Sequence, residues 1–170
     1  QGNPYLITNS TILEKLVDRG GPVGVDNRVP QAFPELDDPD WRRLNPVGTF
    51  RIEPITFQSW NNLLSADGKE KVDRIAQLLT HNYPDYRIIV RGHTAPGGDE
   101  KANLELSLQR AQAVVQYLKA VHQIDSARLH AEGIGSSQPL PRKAGESQRA
   151  YNYRLPRVEF IALGKSLRQP

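Results

Sequence analysis

Between Arg91 and Arg110 the sequence sets a glycine-rich loop against the start of a helix, an arrangement suited to holding an anion. The loop reads Gly92-His93-Thr94-Ala95-Pro96-Gly97-Gly98-Asp99; it follows a strand ending at Arg91, and a helix opens around Asn103 to Ser107. Glycines let the backbone approach a ligand closely, and the free N–H groups at a helix start favour a negative group. The ligand such a loop would take is a carboxylate or a phosphate. Arg110 lies early in the helix, near enough to offer a planar guanidinium that grips a carboxylate through two parallel hydrogen bonds. The same residues also suit a plain structural turn, and an arginine on a helix is commonly just solvated.

Other chemistries find little support. The loop lacks the G-x-G-x-x-G spacing and a P-loop Lys-Ser/Thr. The histidines, His81, His93, His122 and His130, are not set at metal-binding intervals, and there is no cysteine to complete a zinc set or form a disulfide. Gly133-Ile-Gly-Ser-Ser is out of register for a nucleophile elbow. No catalytic group, metal or cofactor is therefore expected. Asn9-Ser10-Thr11 matches a glycosylation acceptor, but Ser10 has a competing role as a helix cap.

The elements that must position the loop can be read from periodicity. Residues 49 to 57 alternate apolar and polar on either side of Pro54, which predicts a half-buried strand at an edge or with a bulge, ended by Trp60 and Asn61-Asn62. Residues 65 to 82 form an amphipathic helix capped by Ser65, with Val72, Ile75, Leu78 and Leu79 on one face, stopped at Tyr83-Pro84. Tyr86 to Arg91 reads as a buried strand, and residues 103 to 122 as a long helix with Leu104, Leu108, Ala111, Val115 and Leu118 in a stripe. Arg128 to Ile134 and Arg157 to Leu163 read as strands. The order β-α-β-α-β-β predicts an α/β (α+β) class in two layers, a mixed sheet with helices packed on one face.

Upstream, residues 1 to 48 are rich in Pro, Gly, Asn and Asp. Ser10 to Arg19 has helical spacing behind a Ser10 or Thr11 cap, and Gly20 to Pro46 reads as extended loop stiffened by Pro30, Pro34, Pro39 and Pro46. The expected division is an N-terminal extension at 1–48, a domain at 49–164 and a tail at 165–170, with the extension either wrapped on the domain or disordered. The chain begins at Gln1 and contains no methionine, so a signal, an anchor or another domain is expected to have preceded it. No apolar run approaches the ~20 residues that span a bilayer. Charge is uneven: residues 1–86 carry 9 Lys/Arg against 12 Asp/Glu, and residues 87–170 carry 13 against 7, giving −3 and +6. A basic half can attract nucleic acid, anionic lipid or an anionic polymer, or be ordinary surface charge.

Taken in series, Ile89-Val90-Arg91-Gly92-His93-Thr94, Asn103-Leu-Glu-Leu-Ser107-Leu-Gln-Arg110-Ala111, Val115-x-Tyr117-Leu118, Gly133-Ile-Gly135-x-x-x-Pro139 and Arg157-Val-Glu-Phe resemble the OmpA/MotB C-terminal family over residues 49 to 164. The resemblance implies an OmpA-like fold, a periplasmic location in the cell envelope and noncovalent binding of the peptidoglycan stem peptide, with no nucleic-acid partner. Residues 8 to 46 more loosely resemble the end of a solute-binding domain fused ahead of such modules. In the family an aspartate of the GHTD motif grips the ammonium of diaminopimelate and the motif arginine grips its carboxylate. Here the arginine is Arg110, while the aspartate position is Ala95, whose methyl can neither accept a hydrogen bond nor balance a cation. Such a loss weakens binding by ~10- to 100-fold unless replaced, and Asp99 is the nearest replacement. The expected ligand-binding residues are Thr94, Ala95, Asp99, Asn103, Leu106, Arg110 and Arg157, the last following Asn152-Tyr-Arg-Leu-Pro where the family has a compact Asn-Arg-Arg. The alternatives are a degenerate copy kept to bind envelope protein partners and, least supported, an enzyme acting on wall peptides.

Overall fold

Ser65 has an extended backbone and its hydroxyl accepts the Gly68 amide at 2.9 Å, satisfying an otherwise orphaned donor at a helix start. The helix begins there, as expected. In the computed structural model, which describes residues 6–8, 33–50, 55–57 and 62–164, the elements run β1 (Leu6–Thr8), α1 (Asp38–Arg43), β2 (Pro46–Phe50), α2 (Ala66–Gln77), a π-helical turn (Leu78–Asn82), β3 (Arg87–His93), α3 (Glu100–His122), a 3-10 turn (Ser126–Arg128), β4 (Leu129–Gly133), α4 (Gln148–Arg154) and β5 (Arg157–Leu163). The sheet order is β1-β2-β5-β3-β4. β5 is antiparallel to both neighbours, whereas β3 and β4 are parallel and are joined through α3, the long crossover that parallel neighbours require. The sheet is mixed, as predicted.

Alternation along β5 divides the interior. Val158, Phe160 and Ala162 join Ile88 and Val90 of β3 beneath Val72 and Ile75 of α2 and Ala111, Val114 and Leu118 of α3. Ile161 and Leu163 point to the other face and meet Trp41 and Leu44. Thus α2 and α3 cover one face, and α1 covers part of the other.

Several boundaries differ from those expected. Residues 38–43, read as loop, are helical: Asp37 accepts the Asp40 amide at 2.9 Å and Pro39 occupies the first turn, where its missing N–H costs nothing. Six residues are too few to show a period. β2 starts at Pro46 rather than 49 and ends at Phe50, and Phe57 makes only an isolated bridge with Leu64. Pro54, Trp60, Asn61, the proposed Ser10 to Arg19 helix and the 165–170 tail lie outside the described residues. α2 widens into the π-helical turn after Gln77, and Arg128 donates to the carbonyls of Leu79 in that turn at 3.1 Å, of Tyr83 after it at 2.7 Å and of Tyr86 at 3.0 Å. α3 starts three residues before the Asn103 expected, and α4 falls where the sequence predicts no element.

Trp41 is 5% exposed and stacks on His130 with ring centroids 5.1 Å apart. Replacing it with alanine removes the centre of the second cluster, and Trp41→Ala should lose about 3–5 kcal/mol of stability in urea unfolding; a loss under ~1 kcal/mol would show that α1 is not integral to the fold.

Candidate functional site

The ends of β3 and β4 meet α3 through glycine. Gly92 and Gly133 are register partners. A Cβ on Gly92 would fall 2.1 Å from the Ser107 carbonyl oxygen, and one on Gly133 would fall 2.3 Å from the Leu108 amide nitrogen. Only hydrogen fits at either place, so the helix lies directly on the strand ends. Above this contact the two following loops are cross-tied: Ile134 donates to the Gly92 carbonyl at 3.1 Å and Thr94 to the Gly135 carbonyl at 2.9 Å. The Ser107 hydroxyl accepts the Gly135 amide at 3.0 Å and donates to Leu104 at 2.8 Å.

This rim holds the glycine-rich loop. Gly97 and Gly98 have φ of +116° and +76°, and open space surrounds the place where a Cβ would stand on either. The Asn103 amide donates to the Gly97 carbonyl at 2.9 Å, folding the loop back onto the helix. Asp99 caps α3 by accepting the Ala102 amide at 3.2 Å. Thr94 is buried, and among the described residues its hydroxyl has no hydrogen-bond partner. Ala95 is half-buried beside it.

Asn103, Leu106 and Arg110 follow one another at i, i+3 and i+7, a single stripe along α3 leading away from the loop. Leu106 and Arg110 are half-buried. The Arg110 guanidinium lies 5.1 Å from the centroid of the Phe57 ring, a cation–π contact. Burial lowers its pKa, and its Nε is buried without a hydrogen-bond partner among the described residues. Thr94, Ala95, Asp99 and Asn103 therefore lie in the loop and the first turn of α3, and Leu106 and Arg110 follow one and two turns further along the helix. Phe57, against Arg110, and Ser107, on α3, were not expected. Phe57 registered only as one apolar position in an alternating segment, and nothing in sequence spacing places a ring beneath an arginine 53 residues away.

Arg157 is elsewhere. It alternates with Val158 and so faces away from α2 and α3. Its guanidinium donates to Leu155 at 3.0 Å and Gln138 at 2.9 Å and lies 3.5 Å from Glu159. There the buried His93 imidazole meets the Glu159 carboxylate, and Arg91 pairs with Glu132 at 2.7 Å. Burial acts to raise the Glu159 pKa, but the hydrogen bond and charge of His93, with Arg157 and Arg91, bring it below its ordinary value. Among the described residues no cluster of three or more histidine, aspartate or glutamate side chains is placed to bind a metal, and no helix is long and apolar enough to cross a membrane.

The sequence profile of the OmpA family matches residues 56–153, more than half of the chain. The chain belongs to the OmpA family. Its OmpA domain is similar to Omp38 of Acinetobacter baumannii, at 32% identity over 101 residues, 59% of this chain and 28% of Omp38. It is similar also to the peptidoglycan-binding protein ArfA of Mycobacterium tuberculosis, at 33% identity over 102 residues, 60% of this chain and 31% of ArfA. The chain thus spans under a third of either relative. Among solved structures, the cell wall anchor of the T6SS from Pseudomonas aeruginosa superposes with a TM-score of 0.54 and 25% identity over 75% of this chain and 92% of the anchor.

Two tests follow from the packing of the OmpA domain. Gly92→Ala forces a methyl onto the Ser107 carbonyl and should cost about 1–3 kcal/mol in chemical denaturation. Glu159, with its folded pKa depressed, contributes stability that is complete above its ordinary value of 4.5 and lost as pH falls through and below that value. Stability measured across that range should fall less steeply for Glu159→Gln than for the parent.

Proposed function

We propose that this OmpA domain binds peptidoglycan noncovalently in the periplasm, cradling a carboxylate of the stem peptide between Arg110 and the backbone N–H groups of the loop over residues 94–99, and so holds an envelope protein to the cell wall. The observation that carries this reading is Arg110 itself: a half-buried guanidinium two turns along α3 from the Asn103 that ties the open glycine loop, with a buried Nε that lacks a partner among the described residues. A guanidinium is a planar fork that can offer a carboxylate two parallel donors. The name of ArfA as a peptidoglycan-binding protein and the role of the Pseudomonas anchor at the cell wall support it. Among the described residues around Arg110 and the loop over residues 94–99, none is arranged as a nucleophile with an adjacent base, which favours binding over catalysis.

Ala95 favours a second reading, in which the domain has lost its ligand and serves as a docking module for envelope proteins. The two are separated by cosedimentation with purified sacculi. The parent chain should pellet, and Arg110→Ala should weaken binding by ~10- to 100-fold, the worth of a charge-assisted pair. Arg110→Lys should fall between, since an ammonium keeps the charge without the fork. Equal pelleting of parent and Arg110→Ala, with both chains folded, would exclude the Arg110 site. Failure of the parent to pellet, alongside a stable protein complex, would select the docking module.

A further inference from the structure

Residues 142–154 carry Arg142, Lys143, Arg149 and Arg154 against Glu146 alone, a charge of +3, equal to that of the whole chain. The one acid is engaged within the segment: Arg154 holds the Glu146 carboxylate at 2.5 and 2.7 Å, and the Lys143 amide donates to it at 3.1 Å. Arg142 donates to Gln148, and its guanidinium lies 4.9 Å from the centroid of the Tyr151 ring. The exposed Arg149 guanidinium has no hydrogen-bond or ion-pair partner among the described residues.

The two tyrosines of α4 are placed differently. Tyr151 serves the fold: its hydroxyl donates to the Leu140 carbonyl at 2.8 Å, and Arg154, with its guanidinium 5.7 Å from the Tyr151 centroid, donates to the Pro141 carbonyl at 3.0 Å. These bonds seat α4 on the segment that follows β4. Tyr153 takes no part in them and is 76% exposed, the most exposed large hydrophobic side chain among the described residues. With Ser147, Arg149, Ala150 and Arg154 it lines a cleft of about 430 Å³. A lone exposed ring is ordinary surface. Beside an unpaired guanidinium, in a cleft on the most basic stretch of the chain, it makes a site with one apolar face and one cationic edge.

We infer that α4 makes a second contact with the wall polymer, separate from Arg110, in which Tyr153 takes the face of a glycan sugar ring and Arg149 a carboxylate of the peptide that the glycan carries. The inference rests on the wall-binding reading and deepens it. A pyranose ring has a face of C–H bonds that packs on an aromatic ring and an edge of hydroxyls that stays in water. The peptides along a glycan make the polymer anionic, the sign that residues 142–154 attract. Placement agrees: Arg157, just after α4, pairs with His93 at the end of β3, so the cleft stands at the end of the sheet where the loop over residues 94–99 begins. One extended polymer meeting both places requires them at one end. An acidic protein partner would engage Arg149 without needing the ring.

The test is a pair of soluble probes: the tripeptide L-Ala-γ-D-Glu-meso-diaminopimelate joined to its N-acetylglucosaminyl-N-acetylmuramyl disaccharide, and the same tripeptide N-acetylated in place of the sugars. Each is titrated into the isotope-labelled chain while NMR follows the amides of Arg149, Ala150 and Tyr153 on α4 and of Gly97 and Gly98 in the loop. The sugar-bearing probe should shift the α4 amides, and the sugar-free probe should need a much higher concentration to do so. Tyr153→Ala should weaken the α4 response ~3- to 10-fold, the scale of one aromatic contact, and Arg149→Ala by ~2- to 5-fold, that of one exposed ion pair. Both side chains are exposed, so neither change removes a buried contact. Arg110→Ala should leave the α4 response as it is. Silence of the α4 amides, or an equal α4 response to both probes, overturns the glycan contact while shifts at Gly97 and Gly98 keep the wall-binding reading in place. Silence at both places, with the parent chain failing to pellet with sacculi, overturns wall binding and this contact together.

Discussion

The closeness of α3 to the ends of β3 and β4 is the constraint from which the rest of the site follows. At Gly92 and Gly133 a hydrogen atom stands where any other residue would have carbon, and the helix backbone fills the space. That contact puts Ser107 within reach of Gly135, joins the two strand-end loops through paired backbone hydrogen bonds, and sets where the stripe of Asn103, Leu106 and Arg110 begins. A helix displaced outward by one methyl would keep its amphipathic face over the sheet but would lose the tie to Gly135. The position of Arg110 is thus decided at backbone level, by Gly92 and Gly133.

The long elements were legible because their signals are additive. Over a dozen or more residues, the apolar stripes of α2 and α3 outweigh local ambiguity, and the Ser65 cap adds a stereochemical marker at the point where one helix begins. β5 could be read from Val158, Phe160 and Ala162 alternating with their neighbours. The short helices were not legible. α1 has only one turn and a half, and its reason for being helical is an aspartate cap followed by proline, which equally fits a turn. α4 has no buried residue; it is held by Arg154 on Glu146, by Tyr151 on the Leu140 carbonyl and by arginines over the Tyr151 ring, and none of these leaves a hydrophobic period.

The site divides in the same way. Asp99 and Asn103 could be picked out by type and place, yet their observed partners are the helix start and the loop. Arg157 shares with Arg110 a guanidinium near the strand ends, but one residue of β-pleat sends it to the far face, where Glu159 and backbone carbonyls engage it. Phe57 was hidden because cation–π contact depends on tertiary placement. The second face of the sheet has its own logic: Phe33 lies over both Arg87 and Arg128, and Arg87 also donates to the Pro34 carbonyl at 2.9 Å, so the segment preceding β2 is held by two buried arginines, one on β3 and one in the turn before β4.

The strand register has a mechanical consequence. Pro46 and Arg87 both pair with Leu163, so β2 and β3 start at the same end of the sheet, while Gly92 and Gly133 lie towards the other. A pull applied between the Gly92 end of β3 and the residues immediately ahead of Pro46 would therefore run along the strands. The β2–β5 and β5–β3 ladders, whose hydrogen bonds lie across that direction, would be loaded in shear, many bonds at once, instead of being peeled one by one.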